Sequence, residues 1–346
     1  MEPNKKRSRP SVMLFILIAG LVAFILYLAF FVNVDQVAQT LSQTNLLLYS
    51  SAFVAYLLYT ICSSLAWHSL LCSLSVSVSK RKAFLYTWVG LFFDATVPQA
   101  GWSAEVSKTY LLAKDEKASS GRIGASVVGQ KLFTMAITVS ALSLGLGLLL
   151  TRYSFPLVPT LLIGLVLALS ILTLAVVFYV SLKPSATKTL LNWAIKIISL
   201  FRKKWNPENF REKAQKLLDS FHGGIDQLKA NPKALTAPIA LTAVSFVFEV
   251  SVMFVAFAAL WKPVSVDVVL IVFTLTGMLG TLGLAFVGFP EFIMSVTLTA
   301  LNIDPPVAVS VALLTRVVNL WFRLIVSYGA LQWAGVKIMH QNQAGK

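Results

Sequence analysis

The sequence predicts an all-α polytopic membrane protein with about six full transmembrane helices and two re-entrant hairpins of half-helices. The composition is 57% hydrophobic and only 12% charged, whereas soluble domains average about a quarter charged residues. Basic residues cluster beside the apolar stretches, and two of these stretches are broken by proline and glycine. The two breaks distinguish this chain from a simple bundle of spans.

The positive charge is concentrated in loops rather than spread over one surface. Of the 29 Lys and Arg residues, 24 lie in five stretches: 1–11, 79–83, 103–122, 183–233 and the residues after 336. Basic loops beside apolar segments stay in the cytoplasm and contact anionic headgroups. The pattern predicts a multi-pass protein of the cell membrane with both termini cytoplasmic, and it argues against a nucleic-acid partner despite the net charge of +15.

The full spans follow from apolar length. The first run, 12–32, follows the basic cytoplasmic segment 1–11 and exceeds the ~7–15-residue core of a signal peptide. Asn33–Asn45 holds one acid and no base and is predicted to be an outside loop. Further crossings are predicted over 46–74, 122–150, 153–182, 234–261 and 306–333, within one transmembrane domain over 12–336 and before a cytoplasmic tail over 337–346.

The stretch 83–113 is predicted to be a re-entrant hairpin. Basic residues flank it on both sides, yet it is long enough for one crossing only, which needs about 20 residues. A single crossing would put one basic cluster on the wrong side of the membrane. A hairpin with Pro98 and Gly101 at its tip removes the conflict, because non-helical backbone is tolerated at membrane depth where it lines a cavity. A plain span is the alternative.

A second broken element covers 264–302, with Gly288 and Pro290 at the break. Its flanks carry Asp267 and Asp304 rather than bases, which indicates that it enters from the outside. Each half of the chain then has the same order of spans and hairpin in opposite orientation. That order is typical of inverted-repeat transporters, whose site lies between the repeats near mid-membrane. The possible repeat depends on the charge pattern and the paired breaks, since the halves share little sequence.

The cytoplasmic segment 183–233 contains eleven bases and a predicted amphipathic helix. Apolar residues recur at spacings of three and four from Phe210 to Leu228. Asn206 is the expected N-cap, and Pro207 takes the first helical position. The apolar stripe either packs against the protein's own helices or lies on lipid.

Charges at membrane depth cost roughly 2.5–3.5 kcal/mol each on insertion scales and are candidates for function. The expected substrate contacts are Asp94, Trp102, Glu105, Lys108, Lys131, Glu249, Glu291 and Arg316. Arginine suits a lipid phosphate because it makes bidentate contacts, and a carboxylate suits a cationic headgroup. Alternatively the charges pair only with one another, Glu249 with Lys131 or Glu291 with Arg316. Arg323 is expected to extend to the inner face.

The sequence contains no motif for soluble catalysis. Gly145-Leu146-Gly147 lies within an apolar span and suits helix packing rather than phosphate binding. Cys62, Cys72 and the three histidines lack ligand spacing. We therefore expect no enzymatic activity, no cofactor and no metal site.

Several loose motifs occur in a fairly specific order: Pro98–Leu112 with Glu105 and Lys108, Gln130-Lys131-Leu132, Phe221–Leu228 with Pro232, Glu249, Gly288–Glu291, Pro305-Pro306, Leu314–Arg316 and Trp321. Together, over about residues 12–336, they resemble the flippase-like transmembrane domain of lysylphosphatidylglycerol synthases, which also occurs as stand-alone bacterial and archaeal membrane proteins.

The chain departs from the pattern of that family at several positions. Ser103-Ala104 replaces a glycine pair, Lys108 an arginine and Asp94 an asparagine, and Leu284–Val287 replaces a glycine-rich second tip. The aminoacyl-transferase domain of the synthases does not follow, so lipid aminoacylation is not expected.

The resemblance implies movement of a polar-headed lipid between leaflets. Anionic, aminoacylated and polyprenyl-phosphate lipids are the candidate partners, and a second copy of the chain is a further candidate. Two alternatives stay open. One is an accessory subunit or membrane-embedded enzyme of lipid-linked glycan or lipid modification, and the other is a scaffold that recruits a cytoplasmic partner through 183–233.

Overall fold

The computed structural model describes residues 22, 24–97, 102–116, 118–152, 157–201, 207–280 and 288–344. Within these ranges all regular secondary structure is helical. Five helical stretches are long and apolar enough to cross a membrane: Leu46–Ser73, Ser120–Thr151, Thr160–Leu182, Pro232–Ala259 and Pro305–Gly335. The predicted class, an all-α polytopic membrane protein, is confirmed.

The helices are numbered in chain order. They are α1 Phe24–Phe31, α2 Val34–Ser42, α3 Leu46–Ser73, α4 Lys80–Thr96, α5 Ser103–Glu116, α6 Ser120–Arg152, α7 Leu157–Leu182, α8 Pro184–Phe201, α9 Pro207–Ala230, α10 Thr236–Ala259, α11 Val266–Leu279, α12 Phe289–Ala300, α13 Pro305–Arg316 and α14 Arg323–Ala344. A π-helical turn, Val317–Phe322, joins α13 to α14 within one span.

Helix α2 occupies most of the stretch that the sequence predicts as a loop. The axis bends by 97° between α1 and α2, and the Asn33 side chain caps α2 by accepting a hydrogen bond from the Gln36 N–H at 3.2 Å. Asparagine is among the preferred N-caps. Val37 and Leu41, four residues apart, bring one face of α2 against the bundle. The prediction of a loop over Asn33–Asn45 is therefore wrong.

The bundle has two ends, which we call the basic end and the opposite end. At the basic end α9 lies beside the end of α3, where the Gln227 amide donates to the Ser73 carbonyl at 2.9 Å. At the opposite end the Asn45 N–H donates to the Ala259 carbonyl at 2.8 Å. Helices α3 and α10 are thus antiparallel, and their contact forms part of the main apolar core together with α11 and α13.

Helices α4 and α5 form the first hairpin. Lys82 near the start of α4 binds Asp115 near the end of α5, with 2.9 Å between Nζ and Oδ2. Further along, a Cβ on Gly90 would lie 2.9 Å from Cγ of Lys108, so glycine here lets α5 approach closely. Both free ends therefore lie at the basic end, as in a re-entrant hairpin. The predicted tip residues Pro98 and Gly101 lie outside the described residues.

Helices α11 and α12 form the second hairpin. Their free ends meet at the opposite end of the bundle, where Val264 and Val268 share a shallow pocket with Leu301 and Ile303. Leu149, near the end of α6, lines the same pocket. The two hairpins thus enter the bundle from opposite ends, the arrangement that the charge pattern predicts.

The described part of 183–233 contains two α-helices, α8 and α9, where the sequence predicts one. Helix α9 packs on the start of α6 so closely that a Cβ on Gly121 would lie 2.5 Å from the Leu217 carbonyl oxygen. Ile225 and Leu228 are buried in this contact, so the stripe of α9 packs on the protein itself. Helix α8 leaves an apolar stripe exposed, with Trp193 67% exposed.

Candidate functional site

A cavity of about 380 Å³ lies between α6, α7, α10 and α11, near the middle of α6, α7 and α10 and beside the last turns of α11. The first hairpin borders it through Trp102, and the second hairpin borders it through Gly277, Met278 and Leu279. Apolar side chains form most of its remaining wall. The cavity therefore lies between the two hairpins, where the repeat pattern predicts a site.

Lys131 is the base on the cavity wall. Its Nζ lies 3.4 Å from Oε1 of Glu105 and 5.7 Å from the ring centroid of Trp102. Glu105 sits in the first turn of α5, where the helix dipole favours a negative charge. The other carboxylate oxygen of Glu105 is buried without a hydrogen-bond partner in the described structure. The start of α5 thus holds a lysine and an aromatic ring at the edge of the cavity.

Glu249 is the acid on the cavity wall. It lies in the middle of α10, and no ion pair within the described residues includes it. Its electrostatic neighbours are Arg323, Asp94 and Lys131. The suggested pairing of Glu249 with Lys131 is therefore not formed, because Glu105 reaches Lys131 instead.

Five hydroxyl groups, none of them among the predicted site residues, also line the cavity. They belong to Thr134, Thr138, Ser170, Thr173 and Thr274. Each donates its hydrogen to the carbonyl four residues earlier in its own helix. Because the hydrogen is used in this way, the oxygen lone pairs remain to accept hydrogen bonds. Recurring Ser and Thr within apolar spans are the sequence signal that could have revealed this wall.

The second hairpin carries a buried ion pair rather than an open binding group. Arg316 Nε donates to Oε1 of Glu291 at 2.8 Å, with side chains 13% and 7% exposed. Oε2 of Glu291 accepts the Gly288 N–H at 2.9 Å. Gly288 has φ 96°, which favours glycine, and Pro290 occupies the first turn of α12. The alternative pairing of Glu291 with Arg316 is therefore formed.

The other predicted residues lie away from the cavity wall. Asp94 binds Arg323 at 3.4 Å between Oδ2 and Nη1, and Arg323 also contacts the Tyr56 hydroxyl. The expectation that Arg323 extends to the inner face is wrong, because Asp94 and Tyr56 hold it inside the bundle. Lys108 is buried with its Nζ 5.0 Å from the ring centroid of Trp67.

Of the predicted contacts, the structure therefore brings Trp102, Lys131 and Glu249 to one cavity, with Glu105 behind Lys131. It uses Asp94, Glu291 and Arg316 in ion pairs elsewhere. Within the described ranges no three His, Cys, Asp or Glu side chains come together as metal ligands would.

Fold and site define a polytopic helical membrane protein with two opposed hairpins that meet at an internal cavity. The chain matches the family model described as "Lysylphosphatidylglycerol synthase TM region" over residues 16–327. It belongs to that family, as the motifs suggest, and is thereby related to the membrane region of lipid-modifying enzymes.

Two archaeal relatives match most of the chain. A UPF0104 membrane protein of Methanocaldococcus jannaschii is 26% identical over 313 residues, which is 89% of this chain and 91% of the relative. A UPF0104 membrane protein of Methanothermobacter thermautotrophicus is 23% identical over 291 residues, 83% of this chain and 84% of the relative. The similarity thus covers nearly the whole length of each protein.

Proposed function

We propose that this protein moves a polar-headed lipid between the two leaflets of the cell membrane and is not an enzyme. The observation that carries the proposal is the cavity bordered by both hairpins, with Lys131 and Glu249 on a largely apolar wall. A charged group costs several kcal/mol in hydrocarbon, so a headgroup needs such a polar interior to cross. The acyl or prenyl tails stay in lipid while the headgroup passes through the cavity.

Each cavity group has a distinct role in this proposal. Lys131 contacts the phosphate of the headgroup, and Glu105 positions Lys131 by the 3.4 Å contact. Trp102 closes the edge of the site at the first hairpin. The free lone pairs of the five hydroxyl groups accept hydrogen bonds from the rest of the headgroup. Glu291 and Arg316 fix the second hairpin tip and do not touch the lipid.

The basic end is proposed to face the cytoplasm, with both chain termini on that side. Cys72 is an exposed native thiol at this end, and Cys62 is replaced by serine so that Cys72 reports alone. A membrane-impermeant maleimide is expected to label Cys72 in inside-out vesicles and not in intact cells. Labelling in intact cells would overturn the orientation.

The test of transport is redistribution of labelled lipids in liposomes that contain the purified protein. The panel holds anionic, aminoacylated and polyprenyl-phosphate lipids. Glu105→Gln removes the charge that holds Lys131 and is expected to slow redistribution at least tenfold. Glu212→Gln is the matched control, because Glu212 pairs with Lys216 on the exposed surface of α9.

Transport of one lipid class that Glu105→Gln slows and Glu212→Gln preserves would establish the function. Failure of the folded wild-type protein to redistribute any lipid of the panel would refute it. The accessory-subunit or enzyme alternative and the scaffold alternative would then be the hypotheses to test. Deletion of the exposed helix α8 would next test the scaffold.

A further inference from the structure

Glu249 differs from the other carboxylates between the two ends of the bundle. Asp94, Glu105 and Glu291 each bind a base at 3.4 Å or less. Glu249 has no ion pair in the part of the chain that the structure describes, and its side chain lines the cavity. An ionised carboxylate without a partner is costly in a low-dielectric interior, whereas the protonated form is not. The surroundings of Glu249 therefore suit a carboxyl group that takes up a proton from the cavity and gives it back.

The charged groups around Glu249 are already engaged in ion pairs. Helix α3 presents Tyr56 and Tyr59 to it, and α6 presents Lys131, which binds Glu105. Arg323 on α14 faces Glu249, and so does its ion-pair partner Asp94 on α4. The charged groups of α11 and α13 lie elsewhere, since Asp267 is in the first turn of α11 and Arg316 binds Glu291.

We propose that Glu249 binds a proton together with the anionic phosphate of a lipid headgroup at Lys131, and that both cross the membrane as one load. Lys131 and Glu249 share one cavity wall, so a phosphate on Lys131 meets the Glu249 carboxylate in a low-dielectric space. Like charges at close range strongly favour protonation of a carboxylate. One proton passes from water to the Glu249 carboxylate as the lipid binds, and returns to water on the other side as the lipid leaves.

Two consequences distinguish this coupling, which rests on the proposed transport function. A proton and a singly charged phosphodiester carry no net charge, so the movement is electroneutral. A membrane potential, which acts on each net charge moved, will therefore not change the distribution of the lipid. A pH gradient will change it, by up to about tenfold per pH unit for one proton, since one unit corresponds to about 1.36 kcal/mol.

The experiment uses proteoliposomes with acyl-labelled phosphatidylglycerol and a trapped pH-sensitive dye. The wild-type protein is expected to enrich the label in the leaflet on the alkaline side and to acidify that side as the lipid arrives. Glu249→Gln is expected to lose both the response of the label to the pH gradient and the proton signal of the dye, whatever rate of redistribution it retains. Glu249→Asp keeps the titrating group and is expected to keep the response, while Glu212→Gln serves as the neutral control.

The outcomes separate this inference from the proposed function. Redistribution by the wild-type protein with no effect of the pH gradient overturns the coupling alone. Movement of protons in the direction opposite to the labelled lipid, with the label accumulating on the acidic side, also overturns it. Absence of redistribution for every lipid refutes the transport function itself. If Glu249→Gln does not fold, the dye signal of the wild-type protein still decides.

Discussion

The ion pair at the second hairpin tip allows a quantitative prediction. Glu291 makes two buried contacts, one with Arg316 and one with the Gly288 N–H. Breaking a buried ion pair from one side costs about 3–5 kcal/mol, because the remaining charge is left without a partner. Loss of a helix N-terminal acceptor costs about 1 kcal/mol more. Glu291→Ala should therefore destabilise the protein by about 4–6 kcal/mol.

The matched variants separate the two contributions. Glu291→Gln retains an oxygen for the Gly288 N–H and loses only the charge, so we expect a loss of about 3–5 kcal/mol. Adding Arg316→Met to Glu291→Gln should restore most of the stability, because replacing both charges of a buried pair is often neutral. The exposed pair of Glu212 and Lys216 is the control, worth about 0.5 kcal/mol or less.

The assay is equilibrium unfolding in mixed micelles of a mild detergent and dodecyl sulfate, followed by circular dichroism. The wild-type protein, Glu291→Gln, Arg316→Met and the double variant form a double-mutant cycle. The cycle gives the coupling energy between Glu291 and Arg316, which we expect to be about 3 kcal/mol or more. A coupling energy below about 0.5 kcal/mol would show that the pair is as weak as a surface contact. The assignment of Glu291 and Arg316 to tip stability would then be wrong.

Four further predictions concern backbone space and pH. Gly121→Ala should weaken the α6–α9 contact by about 1–3 kcal/mol, because its Cβ would lie 2.5 Å from an α9 carbonyl oxygen. Gly223 has open space around it, so Gly223→Ala should stabilise the folded protein by about 0.5–1 kcal/mol. Thermal unfolding measures both effects. Gly288→Ala should cost roughly 1–3 kcal/mol in the mixed-micelle assay, since φ 96° and ψ −40° lie outside the regions that residues with a side chain favour. Burial lowers the pKa of His222 below its usual 6.5, so the folded state binds this proton less readily than the unfolded state. Hydrogen-exchange protection of α9 should therefore be full above about pH 6.5 and fall as the pH drops below it. If His222→Asn keeps its protection at low pH while the wild-type protein loses it, protonation of His222 causes the loss.

The fold was predictable where local sequence decides the structure. Apolar length and the positions of basic residues are local properties, and they indicate the spans and both broken elements. The pairing of Glu291 with Arg316 was one of two proposed pairs and is formed. Helix α2 was not expected, because a loop was inferred from charge alone, although Val34, Val37 and Leu41 already have helical spacing.

The choice of ion-pair partners depends on how helices are rotated against one another, which single-sequence patterns do not contain. Lys131 has two acids within electrostatic range, Glu105 and Glu249. Only the approach of the first hairpin to α6 selects Glu105. Arg323 was misplaced for a related reason, because Val317–Phe322 contains neither proline nor glycine and gives no sign of a π-helical turn.

That π-helical turn links the two hairpins through one span. Residues seven apart in a regular α-helix point within about 20° of each other, so Arg316 and Arg323 would face the same neighbour. A π-turn takes up one extra residue and rotates the following helix by about 100°. Arg316 can then hold Glu291 on the second hairpin while Arg323 holds Asp94 on the first.

The last span is therefore bound to both hairpins through ion pairs, by Arg316 to Glu291 and by Arg323 to Asp94. We therefore expect rotation of the last span to displace both hairpins together, unless one of the two ion pairs breaks. Deleting Val318 should restore a regular α-helix at the π-helical turn and break one of the two ion pairs. Spin-label distances between the hairpins should then show a broader distribution. An unchanged distribution of distances would mean that the hairpins move independently of the last span.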